Sequence, residues 1–129
     1  MSTDSAVLFV IDDDENVRDI LEDILSFQGY SVVTAATVQE AEAVRERLDV
    51  AYIGLVICDV HLTDDASMCE GYHLYQGWTK VHPTLPFILV SGDLSMKDLP
   101  AVRAGRVPFL AKPFAMDELL KTVKTTFAG

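Results

Sequence analysis

The chain has 129 residues and a mass of 14.2 kDa; half of its residues are hydrophobic, 23% are charged, and its mean hydropathy is +0.23. That is the size of one domain, here residues 1–129, able to bury about 65–70% of its unfolded surface, and such hydrophobicity excludes a disordered chain. Twenty acidic residues against ten basic ones leave a net charge of −10, a surface that repels phosphate backbones and anionic lipids and so speaks against direct nucleic-acid or membrane binding.

Val7–Ile11 is an apolar run too short for a helix and reads as a strand buried on both faces; it stops at Asp12, Asp13 and Asp14. Val17, Ile20, Leu21, Ile24 and Leu25 recur at helical spacing, with Asp14 as N-cap and Gly29 as C-terminal stop. Ser31–Ala35 reads as a second strand, and Thr37 with Glu40 as a capping box opening a helix through Leu48. Leu55–Cys58 is a third strand ending in Asp59, followed by a polar, acidic loop over residues 60–70. Gly71–His82 reads as a helix with Leu74, Trp78 and Val81 on one face, closed by Pro83. Phe87–Val90 is a fourth strand ending in Ser91, Gly92 and Asp93. Met96–Ala104 reads as a weak helix with Pro100 inside it and Gly105 after it. Phe109–Ala111 is a short fifth strand before Lys112 and Pro113, and Met116, Leu119, Leu120, Val123 and Phe127 form the last helical stripe.

Strict strand–helix alternation implies a parallel sheet with helices on both faces. Right-handed crossovers leave few topologies, and a flavodoxin-like (βα)5 doubly wound sheet of order 2-1-3-4-5 fits this length. Cys58 and Cys69 cannot build a disulfide framework and read as reduced thiols of a cytoplasmic protein. The N-terminus lacks a secretory pattern, and no apolar run approaches the ~18 residues of a membrane span.

Ligands of such sheets sit at the carboxyl ends of the strands, where the order switches. Asp12, Asp13 and Asp59 end strands one and three, Ser91 ends strand four, and Lys112 follows strand five. Clustered carboxylates repel unless neutralised. An all-oxygen site suits Mg²⁺, with Mn²⁺ as a substitute, rather than zinc, and no glycine-rich nucleotide loop is present. A cation bridging a carboxylate nucleophile and a phosphoryl group, with an ammonium and a hydroxyl on its other oxygens, is a phosphoryl-transfer layout.

Four segments in this order and spacing resemble the receiver domains of two-component response regulators: Phe9–Asp14, Leu55–Asp59, Ile88–Gly92, and Ala104-Gly105 with Phe109–Phe114. The resemblance implies that Asp59 is the phosphoacceptor, that Asp13, Asp12, Asp59 and the backbone carbonyl of His61 hold Mg²⁺, and that Lys112 contacts the phosphoryl group. It further implies that Ser91 and Phe109 form the switch and that the surface from the fourth helix to the fifth is the readout face. The implied partners are a sensor histidine kinase or a histidine phosphotransfer protein, docking on Asn16, Arg18 and Asp19, read as exposed positions of the first helix, beside Pro113 and Phe114, and a downstream effector. Phosphorylation-dependent dimerisation is left open, as is a stand-alone regulator against a piece of a longer one.

The chain departs from the family pattern after Asp59. The usual proline four residues on is Thr63, and the first glycine is Gly71, twelve residues on. The loop is therefore about four residues longer and carries Asp64, Asp65 and Glu70, read as solvated acids. The His61 imidazole is a candidate to orient or hinder a hydrolytic water, though an exposed loop histidine is the simpler reading. Pro108 precedes Phe109 and stiffens it. His73 and His82 read as surface residues, Trp78 and its tyrosines as packing, and Cys58 as a buried small apolar residue. Two competing functions are a haloacid-dehalogenase-type phosphatase, whose motif Asp59-Val60-His61-Leu62-Thr63 partly resembles, and a degenerate receiver acting only as an interaction module.

Overall fold

In the computed structural model, residues 6–63 and 68–127 are described. Among them, strands β1 (Val7–Ile11), β2 (Ser31–Ala35), β3 (Ile53–Asp59), β4 (Phe87–Ser91) and β5 (Phe109–Ala111) alternate with helices α1 (Glu15–Phe27), α2 (Val38–Arg47), α3 (Glu70–Val81), α4 (Pro100–Arg103) and α5 (Met116–Thr126). The strands form one parallel sheet of order β2-β1-β3-β4-β5, the topology that the alternation predicts. No helix among the described residues is long and apolar enough to cross a membrane.

Side chains of a strand alternate between faces, so each apolar run feeds two cores. Leu8, Val10, Leu55, Ile57, Ile88, Val90 and Leu110 pack beneath α1 and α5 with Leu21, Leu25, Leu119 and Val123. Phe9, Ile11, Val56, Cys58, Phe87 and Leu89 pack on the other face with Ala41, Leu74, Tyr75 and Trp78 of α2 and α3. Trp78 and the tyrosines of α3 are thus packing residues. The Trp78 indole also donates to Glu42 Oε1 at 2.6 Å, and the Arg45 guanidinium lies over its ring at 5.6 Å, joining α3 to α2.

The helix starts follow local chemistry. Asp14 caps α1 by accepting from the Asn16 N–H, and Thr37 caps α2 by accepting from the Glu40 N–H. Glu40 reaches back to the N–H of Ala36, one residue before the cap. Gly29, at φ +95°, turns the chain out of α1.

Three element readings are corrected. β3 begins at Ile53 rather than Leu55: Ile53 pairs with Val7 of β1, and Gly54 leaves room for the Phe127 ring, 2.6 Å from where a Cβ would stand. Val81 of α3 is 70% exposed; the buried face runs through Gly71, Tyr72, Leu74, Tyr75 and Trp78. Pro100 does not sit inside a helix. Asp93 caps a 3-10 turn over Leu94–Asp98, Leu99 is extended at ψ 141° before the proline, and Pro100 opens the four-residue α4 at its first position. Proline disfavours the helical conformation of the residue before it and suits a helix's first turn, so one weak helix becomes two short pieces.

Candidate functional site

The alternation that divides the core also aims the polar residues. Asp12 extends the Leu8–Val10 row, Asp59 the Leu55–Ile57 row, and Lys112 the row of Leu110, all on the sheet face under α1 and α5. β1 and β3 are adjacent at the switch point of the strand order. The rows therefore deliver two carboxylates and an ammonium to one place. Lys112 Nζ donates to Asp12 Oδ2 and Asp59 Oδ2, 2.7 Å from each. Asp12 is 1% exposed and Asp59 6%. Their other oxygens accept from backbone N–H groups, Asp12 Oδ1 from Asp14 at 2.9 Å and Asp59 Oδ1 from His61 at 3.1 Å.

The electrostatics are those of an incompletely neutralised site. Burial pushes the Asp59 carboxyl above the ordinary aspartate value; the Lys112 hydrogen bond pulls it down and the Asp12 charge pushes it up again. Burial alone would lower the Lys112 ammonium, but its bonds to Asp12 and Asp59 hold it above the usual lysine value. Cys58, fully buried beside these acids, is pushed far up by burial, which fits an inert packing thiol rather than a reactive one.

Asp13 is exposed, and carboxylate oxygens of Asp12, Asp13 and Asp59 all lie within 4.8 Å of one another. Three carboxylates facing one ammonium leave a formal excess of two negative charges, all on hard oxygens. This donor set fits a small divalent cation such as Mg²⁺.

Ser91 ends β4 on the opposite sheet face, in the row of Phe87 and Leu89, and is 1% exposed. Its hydroxyl accepts from the Asp93 N–H at 3.0 Å, and its carbonyl accepts from the Lys112 N–H at 2.9 Å. Phe109 pairs with Leu89 in register and packs, half-buried, on the same face. The lysine and the hydroxyl are thus joined through backbone, and the hydroxyl and the aromatic ring share a face. The Lys112–Pro113 peptide is cis.

The loop after Asp59 is tied at both ends. His61 Nδ1 lies 2.9 Å from the Met68 carbonyl, and Thr63 Oγ1 donates to Glu70 Oε2 at 2.6 Å. The His61 ring thus closes its own loop, and its Nε2 sits 3.9 Å from Asp93 Oδ2. Asp64 and Asp65, read as solvated acids, lie outside the described residues. The loop rejoins the fold at Gly71, whose N–H donates to the Val60 carbonyl. A Cβ on Gly71 would stand 1.7 Å from the Asp59 carbonyl oxygen. That close approach lets α3 start directly behind the end of β3 despite the longer loop.

Of the residues expected to dock a partner, Asn16, Asp19 and Pro113 are exposed and Phe114 is half-buried. Arg18, read as exposed, is half-buried; its guanidinium donates to the Asp12 carbonyl at 2.8 Å and braces the site from α1. The sequence reading passed over two neighbours. Val17 and Ile20, the latter 57% exposed, join Leu21, Lys112, Pro113 and Phe114 around an apolar cleft of about 330 Å³ beside the acids. The signal was present, since a helical stripe that includes Ile20 is wider than one buried face requires.

The fold and this site define a class: a doubly wound α/β domain with an acidic, lysine-bridged centre at its switch point. The chain belongs to the response regulator receiver domain family, whose pattern matches residues 8–124, and it is a receiver domain of the two-component response-regulator type. It is 33% identical over 119 residues to the C4-dicarboxylate transport transcriptional regulatory protein DctD of Rhizobium meliloti, covering 91% of this chain and 24% of that protein. It is 34% identical over 120 residues to the transcriptional regulatory protein PmrA of Pectobacterium parmentieri, covering 91% of this chain and 50% of that one. The crystal structure of a CheY-like receiver domain protein from Methanospirillum hungatei aligns with a TM-score of 0.78 and 30% identity, over 93% of this chain and 91% of that one. The chain thus spans between a quarter and a half of the curated relatives named here. The phosphatase reading is not favoured: the position two residues past Asp59 offers an imidazole tied to its own loop instead of that family's second acid.

Proposed function

We propose that Asp59 accepts a phosphoryl group from a phosphohistidine on a sensor histidine kinase or histidine phosphotransfer protein. The observation that carries this reading is the Lys112 ammonium held 2.7 Å from both the Asp59 and the Asp12 carboxylate. An Asp59 oxygen attacks phosphorus, the P–N bond breaks, and the electron pair leaves on the imidazole nitrogen, which takes a proton from solvent. Attack by water on the acyl phosphate later restores the carboxylate and releases inorganic phosphate, so the domain modifies itself rather than turning over a substrate.

Asp12, Asp13, Asp59 and the His61 carbonyl would hold Mg²⁺, which, when bound, draws charge off the transferring phosphoryl oxygens. Lys112 then exchanges a carboxylate for a phosphoryl oxygen. Phosphorylation adds charge and acceptor oxygens at the strand ends. The Ser91 O–H turns toward them, and the loop after β4 and the Phe109 ring rearrange on their shared face. This biases a two-state surface running from α4 through β5 to α5, where the effector reads it. The donor docks on Asn16, Asp19, Pro113 and Phe114 and on the apolar cleft beside them. A cytoplasmic location is the reading that such a phosphohistidine donor and two free cysteines support.

The test is incubation with acetyl phosphate and Mg²⁺, followed by peptide mass mapping. One phosphoryl adduct on Asp59, absent from Asp59→Asn and without Mg²⁺, is expected; an adduct elsewhere sinks the assignment. Beryllofluoride titration separates the degenerate module, which would give a flat response.

A further inference from the structure

A second concavity lies at the opposite end of the sheet from Asp59. It occupies about 870 Å³ along α3, between the first residue of β4, the start of α4, the residues just before β5 and the end of α5. Phe87, Tyr72 and Tyr75 form its aromatic floor, with the Phe87 and Tyr75 rings edge to face at 5.1 Å. It stays open because the β4–β5 crossover supplies only a 3-10 turn and the four-residue α4.

Its charge is opposite to that of the molecule. Residues 1–70 hold sixteen of the twenty acids and three of the ten bases, whereas residues 71–129 hold four acids and seven bases. Lys80 and Arg106 line the concavity, both exposed and without an ion-pair partner among the described residues, and none of the described lining residues is acidic. The Tyr75 hydroxyl has no hydrogen-bond partner there either, whereas that of Tyr72 accepts from the Ala101 N–H. An aromatic floor with unpaired cations at its rim is complementary to a chain that alternates apolar and acidic side chains.

We infer that this groove binds an acidic, apolar-containing peptide segment of a partner protein, at a site separate from the phosphoryl centre. A nucleic acid would meet the same cations, but its long anionic backbone also meets the acid-rich remainder of the surface within a Debye length. A short segment meets only the groove.

The probe is a short blocked peptide alternating glutamate with leucine and phenylalanine, titrated into the 129-residue chain and followed by amide and side-chain NMR. The expected result is saturable shifts at Tyr72, Tyr75, Lys80 and Arg106 that leave Lys112 in place. Affinity falls about tenfold or more in the Lys80→Glu/Arg106→Glu variant, whose fold is checked by circular dichroism, and falls again as salt is raised. The inference is overturned by the absence of saturable shifts, by undiminished binding to the folded charge-reversed variant, or by equal binding of an arginine-for-glutamate peptide. Competition by oligothymidylate at lower concentration than the peptide overturns it in favour of nucleic acid.

Discussion

Two glycines of α3 should respond in opposite directions to the same substitution. In Gly71→Ala the new methyl would stand 1.7 Å from the Asp59 carbonyl oxygen, 2.8 Å from its carbonyl carbon and 3.1 Å from Cys58 Sγ. Relief to an ordinary contact requires well over an ångström of movement between two backbone segments. The helix cannot retreat freely, because the Gly71 N–H donates to the Val60 carbonyl at 2.9 Å. Overpacking costs about 1–3 kcal/mol and a stretched backbone bond about 0.5–1.5 kcal/mol, against about 1 kcal/mol gained by alanine in a helix. The net expectation is a loss of about 2 kcal/mol. At Gly77, in the middle of the same helix, a Cβ meets nothing within 4 Å, so alanine should gain about 0.5–1 kcal/mol. Urea unfolding followed by the fluorescence of Trp78, the single tryptophan, measures both variants. Phosphorylation by acetyl phosphate should slow in Gly71→Ala, which displaces Asp59, and hold its rate in Gly77→Ala. Equal stability of the two variants would refute the close approach between α3 and the end of β3.

Asp59 ionises in the folded state at a higher pH than when unfolded, so its contribution to stability is lost as pH rises through the folded value. In a chelator, Asp59→Asn should therefore melt above the wild type at neutral pH, and the gap should close as pH falls into the ordinary carboxylate range; a variant that melts lower at neutral pH would contradict burial as the dominant cause. Magnesium should raise the melting temperature, by the equivalent of about 2.7 kcal/mol at a hundredfold excess over its dissociation constant, with most of the gain absent in Asp13→Asn; an unchanged melt would count against the carboxylates as a cation site. Lys112→Met leaves two buried carboxylates facing each other and should cost about 1–3 kcal/mol by urea unfolding in chelator, less than a fully buried pair because the lysine is 21% exposed. Magnesium should return part of that loss, and a variant as stable as wild type would show that Lys112 is dispensable for charge balance.

The residues that became the site were readable wherever a local period reached them. Asp12 and Asp59 follow apolar runs that can only be strands, and alternation carries both to one face. The cap at Asp14 and the stripe of Leu21 and Leu25 are also local patterns, and they appeared where expected. Pro100 divides the stretch that reads as one weak helix, because its ring restricts Leu99 and favours a fresh helix start. Arg18 was misplaced for a related reason: its position on the helix was legible, but not that a long side chain there spans to the Asp12 carbonyl.

The order of elements, the parallel topology and the carboxyl edge on which the acids collect follow from residue order alone, because they depend on periods of two and 3.6 residues and on the handedness of crossovers. The folded chain adds that the Lys112 ammonium bridges Asp12 and Asp59, that Gly71 meets the Asp59 backbone across a lengthened loop, and that a short crossover leaves a basic groove at the far edge. Each of these joins residues distant in the chain, so each depends on strand register, helix approach and loop closure, which no local pattern contains.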